Sequence, residues 1–109
     1  MTAPLPATGI TLPPGIKIKE KSWLARIAAW KLGGHSAALV FGRTIYLHNI
    51  DTASFLEDKP WLRHELKHVE QYQRLGKINF LWQYLLEWLR KGYYQNKFEV
   101  EAREAEKAG

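Results

Sequence analysis

Apolar residues recur at helical spacing in two stretches of the chain. Trp23, Ile27 and Trp30 predict a helix over 22–32, which a Gly-Gly pair ends, and we expect their side chains to pack in the core. A second helix is predicted over 78–91, because its apolar residues fall on one broad stripe at about 100° per residue. The stripe comprises Ile78, Leu81, Trp82, Leu85, Leu86, Trp88 and Leu89. We expect it to face the core; the alternative is a surface that binds a membrane.

Two short β-prone runs, 37–40 and 43–47, lie on either side of a Phe-Gly pair and predict a β-hairpin. The hairpin precedes a helix predicted over 59–75, for which Asp58 is a suitable N-cap residue. Asn96 is expected to cap a last helix near the end of the chain. Together these elements predict an α+β fold that is mostly helical, with a small hairpin before the helix over 59–75.

Residues 1–15 contain all but one of the five prolines of the chain. This composition predicts an extended arm over 1–15, followed by a single domain over 16–109. We expect the arm to lie across or near a functional cleft; a loose tail is the alternative. The chain has no basic, apolar leader and no run of about 18 apolar residues. We therefore expect no secretory signal, no membrane-spanning segment and a cytoplasmic location.

The net charge of +5 comes from basic residues that are scattered between Lys17 and Lys107. This distribution predicts a solvated surface, no nucleic-acid partner and at most a weak association with anionic membranes. A hydrophobic content of 46% is enough for a packed core. The absence of Cys excludes disulfides, a Cys-based zinc site and a thiol nucleophile.

The most specific feature is His64-Glu65-Leu66-Lys67-His68, an H-E-x-x-H sequence inside the predicted helix over 59–75. Residues four apart lie on the same face of a helix, so the two imidazoles can hold one zinc ion. Glu65 can then act on a water at the metal. Two exposed histidines on a solvated helix are the alternative, and a third ligand distinguishes the two interpretations.

A glutamate from a later helix is the expected third ligand, because Arg74 stands where another class of zinc peptidase has a third His. The candidates are Glu87, Glu99, Glu101, Glu104 and Glu106. Glu99 fits best, since it lies 31 residues after His68 with one predicted helix between them. It also lies three residues after Asn96, so a capping box is the alternative explanation. Glu101 stays open as the alternative ligand.

The run Glu99-Val100-Glu101-Ala102 matches the first four positions of an E-x-x-A-D motif, in which Arg103 replaces the Asp. In gluzincin metallopeptidases this motif follows H-E-x-x-H. Over about residues 37–106 the chain resembles the short minigluzincins, which are related to the cores of CAAX-processing and heat-shock integral-membrane zinc peptidases. The sequence from His64 to Gln71 is also similar to uncharacterised bacterial gluzincin-like domains.

The resemblance implies a zincin-like metallopeptidase core that hydrolyses peptide bonds, with Zn²⁺ held by His64, His68 and Glu99. It also implies that the strand over 43–47 lies beside the motif helix and offers a free edge to the substrate backbone. In the relatives the Asp supports the first zinc histidine. Arg103 therefore leaves that support in question.

Glu65 is the expected general base, and Tyr94 is the expected hydrogen-bond donor to the oxyanion, with Tyr93 and His35 as the alternatives. The expected substrate is a peptide or protein. Gln71 lies three residues after His68 on the same helix face, so we expect it to bond a ligand or the substrate. Two other functions stay open: a zinc-binding accessory domain without catalysis, and a metal-free helical protein that binds a partner through its tryptophans.

Overall fold

Five helices and a three-stranded sheet form an α+β fold in the computed structural model, which describes residues 12–108. This confirms the predicted fold class. In chain order the elements are β1 (Lys17–Lys19), α1 (Trp23–Leu32), β2 (Ala37–Phe41), β3 (Thr44–His48), α2 (Thr52–Glu57), α3 (Lys59–Leu75), α4 (Lys77–Gln95) and α5 (Lys97–Glu106). The arm over 1–15 and the domain over 16–109 stay predictions, because most of the arm lies outside the described residues.

The sheet has the strand order β1-β3-β2, so β3 is its central strand. β2 pairs antiparallel with β3, and their two-residue loop begins at Gly42, whose φ of 64° favours glycine. β1 pairs with β3 in parallel on the other side. The expectation of a free edge on the strand over 43–47 is therefore wrong. β1 and β2 are the two edge strands, and β2 is the one that packs against α3.

The sequence pattern does not predict β1 or α2. β1 has one apolar residue, Ile18, between two lysines, and its partner strand is distant in the sequence. α2 has six residues, too few to show a helical repeat, although Asp51 caps it by accepting a hydrogen bond from the Ser54 N–H at 2.7 Å. Glu20, the residue after β1, connects β1 to α2, because its carboxylate accepts hydrogen bonds from the N–H and the hydroxyl of Thr52 at the start of α2.

One core cluster holds the sheet and four of the helices together. Its buried members are Val40, Ile45, Leu47, Phe55, Leu62, Val69, Tyr72, Phe80 and Phe98. Alternation along β3 points Ile45 and Leu47 into this cluster. α3 and α5 pack against each other, and this packing brings residues of the two helices into one site.

The prediction that the apolar faces of α1 and α4 pack in the core is wrong. In α1 the small residues Ala25 and Ala29 face the core, while Trp23 and Trp30 are exposed. In α4 Phe80 is the buried residue, and most of the predicted stripe is exposed. The repeat of apolar residues gives the helical period, but tertiary packing decides which face is covered. Within residues 12–108, no helix is long and apolar enough to cross a membrane.

Candidate metal centre

The H-E-x-x-H sequence lies on α3, whose observed bounds match the predicted helix. Asp58 caps this helix by accepting a hydrogen bond from the Trp61 N–H at 3.2 Å, and Pro60 occupies the first turn. His64 and His68 are one helical turn apart, and their ring centroids are separated by 5.0 Å. Both rings line one cleft, so α3 presents the two imidazoles to the same space.

Glu99 reaches the two histidines from the first turn of α5. The buried side chain of Asn96 begins this helix: it accepts from the Phe98 N–H at 2.9 Å and donates to the Tyr84 carbonyl at 3.1 Å. The backbone N–H of Asn96 donates to the Tyr93 carbonyl at 3.2 Å. The carboxylate of Glu99 therefore does not close a capping box, and it points to α3 instead.

Three potential ligand atoms converge between α3 and α5. Oε1 of Glu99 lies 3.1 Å from Nε2 of His64 and 3.2 Å from Nε2 of His68. One atom from each residue lies within 4.8 Å of the others. Zinc binds nitrogen and oxygen at about 2.0–2.2 Å, which places the ligand atoms of a tetrahedral site about 3.3–3.6 Å apart. The three side chains therefore lie close enough together to hold one metal ion.

Gln71 fixes the orientation of His68. Its Oε1 lies 2.8 Å from Nδ1 of His68, while its Nε2 donates to the Phe98 carbonyl at 3.1 Å and to Glu101 at 2.7 Å. Because the amide nitrogen is bonded to two acceptors, the amide oxygen faces the imidazole, and Nδ1 carries the proton. Nε2 of His68 would then be the atom that binds a metal ion. Gln71 thus bonds His68, which we predict to be a ligand, and Glu101 bonds Gln71 instead of joining the three converging side chains.

Glu106 supports His64, with its Oε2 at 2.6 Å from Nδ1 of that histidine. Arg103 stands where the related motif has Asp, and it is bonded elsewhere: it donates to the backbone carbonyl of Tyr94 and lies over the ring of that residue. Glu106 is three residues further along α5 and therefore on the same face. The carboxylate that orients His64 thus comes from Glu106, one turn of α5 after the position of the Asp in the related motif. Sequence reasoning considered Glu106 only as a ligand.

We expect Glu106→Ala to weaken zinc binding by about ten- to a hundredfold, because losing the outer partner of a metal-bound histidine typically has this effect. Competition with a chromophoric chelator measures the zinc Kd, and circular dichroism checks the fold. Glu104→Ala is the matched control, since Glu104 lies on the same helix and pairs with Lys107. Equal Kd values for the two variants would show that Glu106 does not orient His64.

Glu65 is buried beside the two histidines and lines the same cleft. Burial raises the pKa of Glu65 to about 7, although the histidines act in the opposite direction. The indole N–H of Trp61 donates to Oε2 of Glu65 at 3.2 Å and holds the carboxyl in place. A carboxyl group with a pKa near 7 can take up and release a proton at neutral pH.

The pKa values of His68 and Glu99 shift in opposite directions. Burial lowers the pKa of His68, but its hydrogen bond to Glu99 and the charge of that carboxylate outweigh burial and raise the pKa to about 9. Burial raises the pKa of Glu99, but its bonds to the two histidines hold the pKa well below the usual range. A buried carboxylate is thus stabilised by positive charge at the position where a metal ion would lie.

Tyr84 and Tyr93, rather than Tyr94, face the cleft. The hydroxyl of Tyr84 donates to Oε2 of Glu99 at 2.5 Å. Tyr94 is 67% exposed and lies outside the cleft, so its position does not suit the predicted oxyanion donor. Gly92, with φ 79° and ψ 174°, interrupts the helical path just before the two neighbouring tyrosines. Sequence spacing alone therefore could not identify which of them faces inward.

The candidate metal site opens into an apolar cleft of about 200 Å³. β2 contributes Ala38, Leu39 and Val40 to its lining, and α1 and α4 contribute most of the rest. His35 and His48 do not line this cleft, and His48 borders a separate polar depression.

Comparisons of the chain with protein-family models, with curated proteins and with solved structures found no match. The resemblance to gluzincins therefore stays a prediction. What the site can do follows from the chemistry of its own residues.

Proposed function

We propose that this protein is a zinc-dependent peptidase of the gluzincin type, with zinc held by His64, His68 and Glu99. The main support is the convergence of these three side chains, of which His68 and Glu99 are buried and His64 is partly buried, with Glu65 beside them in one apolar cleft. Two exposed histidines on a solvated helix would not have both ring nitrogens bonded. Here each histidine has a partner at Nδ1 and another at Nε2.

Zinc at this position would act as a Lewis acid and lower the pKa of a water molecule to about 7. Glu65 accepts the proton as water attacks the peptide carbonyl, and it then donates this proton to the leaving amine. Tyr93 lines the cleft and takes the role expected of Tyr94, donation of a hydrogen bond to the oxyanion. Tyr84 holds the Glu99 carboxylate in position through its hydroxyl.

The edge strand β2 favours a peptide substrate. Leu39 and its neighbours line the cleft, and the outer edge of β2 is not paired within the described sheet. An extended peptide can add to such an edge through its backbone N–H and carbonyl groups. The apolar lining of the cleft favours apolar side chains next to the bond that is cleaved.

Removal of the metal tests this function. Dialysis against a chelator should abolish hydrolysis of a mixed-sequence fluorogenic peptide library, and one equivalent of zinc should restore it. The rate is followed by fluorescence, with circular dichroism to show that the metal-free chain stays folded. A rate that does not depend on zinc would contradict the proposal. Stoichiometric zinc without hydrolysis of any peptide would favour the accessory zinc-binding domain.

A further inference from the structure

The outer face of α4 carries a continuous apolar stripe. Ile78, Trp82, Leu85 and Leu89 recur at i, i+4, i+7 and i+11, so they lie on one face of the helix, opposite the buried Phe80. Their exposed fractions are 76%, 61%, 43% and 75%. The stripe extends about 16 Å along the helix. A contiguous exposed apolar surface of this kind usually marks a site that binds a protein, a ligand or a membrane.

A second exposed stripe lies on α1. Trp23, Ile27 and Trp30 follow one another at helical spacing and are 69%, 53% and 79% exposed. The core-facing side of this helix is formed by Ala25 and Ala29. Tryptophan is enriched where proteins meet the interface of a bilayer with water, because its ring is apolar and its N–H is polar.

The α4 stripe borders the cleft, because Leu81 and Trp88 are exposed, line the cleft and lie within one helical turn of Leu85. On α1, the exposed Leu32 lines the cleft from the side of the helix opposite the tryptophans. These three residues and the two stripes are here called the apolar rim. A surface that covered the α4 part of the apolar rim would therefore lie at the mouth of the cleft.

Positive charge flanks the α1 stripe. The basic residues of α1 and α4 are Arg26, Lys31, Lys77, Arg90 and Lys91. On α4 these residues lie away from the stripe, and Lys77 lies over the ring of Phe41. Arg26 and Lys31 lie on either side of the α1 stripe at about 100° per residue. Glu87 is the one acidic residue of the two helices, and it is bonded to the Lys97 N–H and paired with Lys91. An apolar face flanked by Lys and Arg is typical of helices that lie in the headgroup region of an anionic bilayer.

We propose that the apolar rim binds the surface of a bilayer that contains anionic phospholipids. The apolar side chains would enter the boundary between headgroups and acyl chains, while the basic side chains meet the lipid phosphates. A second copy of the chain is a poorer fit, because a two-fold interface would bring the same basic faces together. Charge complementarity therefore favours lipid over self-association.

The apolar rim adjoins the cleft, so the substrate would be a polypeptide segment held at or near a membrane surface. This statement about the substrate rests on the proposed function. Vesicle binding itself does not, since it involves none of the metal ligands.

Flotation of the full chain with lipid vesicles tests the proposal. We expect the chain to bind vesicles of phosphatidylcholine and phosphatidylserine at least about tenfold more tightly than vesicles of phosphatidylcholine alone, with binding that weakens as salt rises. The double variant Leu85→Gln/Leu89→Gln should bind at least about tenfold more weakly, because each leucine loses its apolar burial. Glutamine keeps the helix propensity close to that of leucine, so the fold should be retained.

The matched control is Val100→Gln, which replaces an exposed apolar residue on α5 and should bind vesicles like the unchanged chain. His68→Ala should also bind vesicles normally, which separates membrane binding from the metal site. Absence of binding, equal binding to both kinds of vesicle, or an equal loss in Val100→Gln would overturn the proposal. Conversion of a dimer to a monomer by Leu85→Gln/Leu89→Gln in sedimentation velocity would overturn it in favour of a second copy.

Discussion

Glu65→Gln is expected to lower the kcat of the zinc-loaded protein by about 10²- to 10⁴-fold while zinc stays bound. The amide cannot accept the proton that the attacking water loses. It has nearly the same shape as the carboxylate, and its oxygen can still accept the hydrogen bond that Trp61 donates to Glu65. Steady-state hydrolysis of a peptide that the unchanged protein cleaves measures the effect, and elemental analysis measures the zinc.

Glu57→Gln is the control for this variant, because Glu57 is exposed on α2 and away from the cleft. It should hydrolyse the peptide at the unchanged rate. A zinc-loaded Glu65→Gln protein with the same rate as Glu57→Gln would remove Glu65 from the mechanism. Loss of zinc from Glu65→Gln would instead show that this carboxylate takes part in holding the metal.

The second large effect is expected from His68→Ala, which should abolish stoichiometric zinc binding at neutral pH. This substitution removes one of the three proposed ligands and also the partner of Gln71 and Glu99. Two protein ligands are fewer than zinc sites in proteins normally have. Zinc per chain is measured by elemental analysis after gel filtration, and circular dichroism checks that the variant is folded.

Two further variants serve as controls and decide the third ligand. His35→Ala changes an exposed histidine outside the cleft and should keep one zinc per chain. Glu99→Ala should lose the metal, whereas Glu101→Ala should retain it, since Glu101 contacts Gln71 and Arg74 rather than the histidines. Full zinc retention in His68→Ala would contradict the assignment of this residue as a ligand.

Features set by neighbouring residues could be predicted from the sequence. The start of α3 at Asp58, its end before Gly76 and the cap of α5 at Asn96 each depend on side chains within a few positions. The same holds for the pair His64 and His68, whose spacing places them on one helix face. These signals were enough to predict α3 and α5, the two helices that carry the site.

Features set by long-range packing could not be predicted. β3 is the central strand because β1, more than twenty residues earlier in the chain, pairs with its outer edge. Glu106 supports His64 because α5 packs against α3, and nothing local to Glu106 indicates this role. The exposed stripe of α4 has the same sequence pattern as a core-facing helix. Only the packing of Phe80 on the opposite side shows which face is covered.

X-ray absorption at the zinc K edge tests the central claim, the zinc site, most directly. For the purified, zinc-loaded chain we predict one zinc with two imidazole nitrogens and further oxygen ligands at about 2.0–2.2 Å. In His68→Ala, the signal of two coordinated imidazoles should be lost, and any zinc that remains should be bound non-specifically. A zinc ion with fewer than two imidazole ligands, or a chain that retains no stoichiometric zinc, would contradict the account.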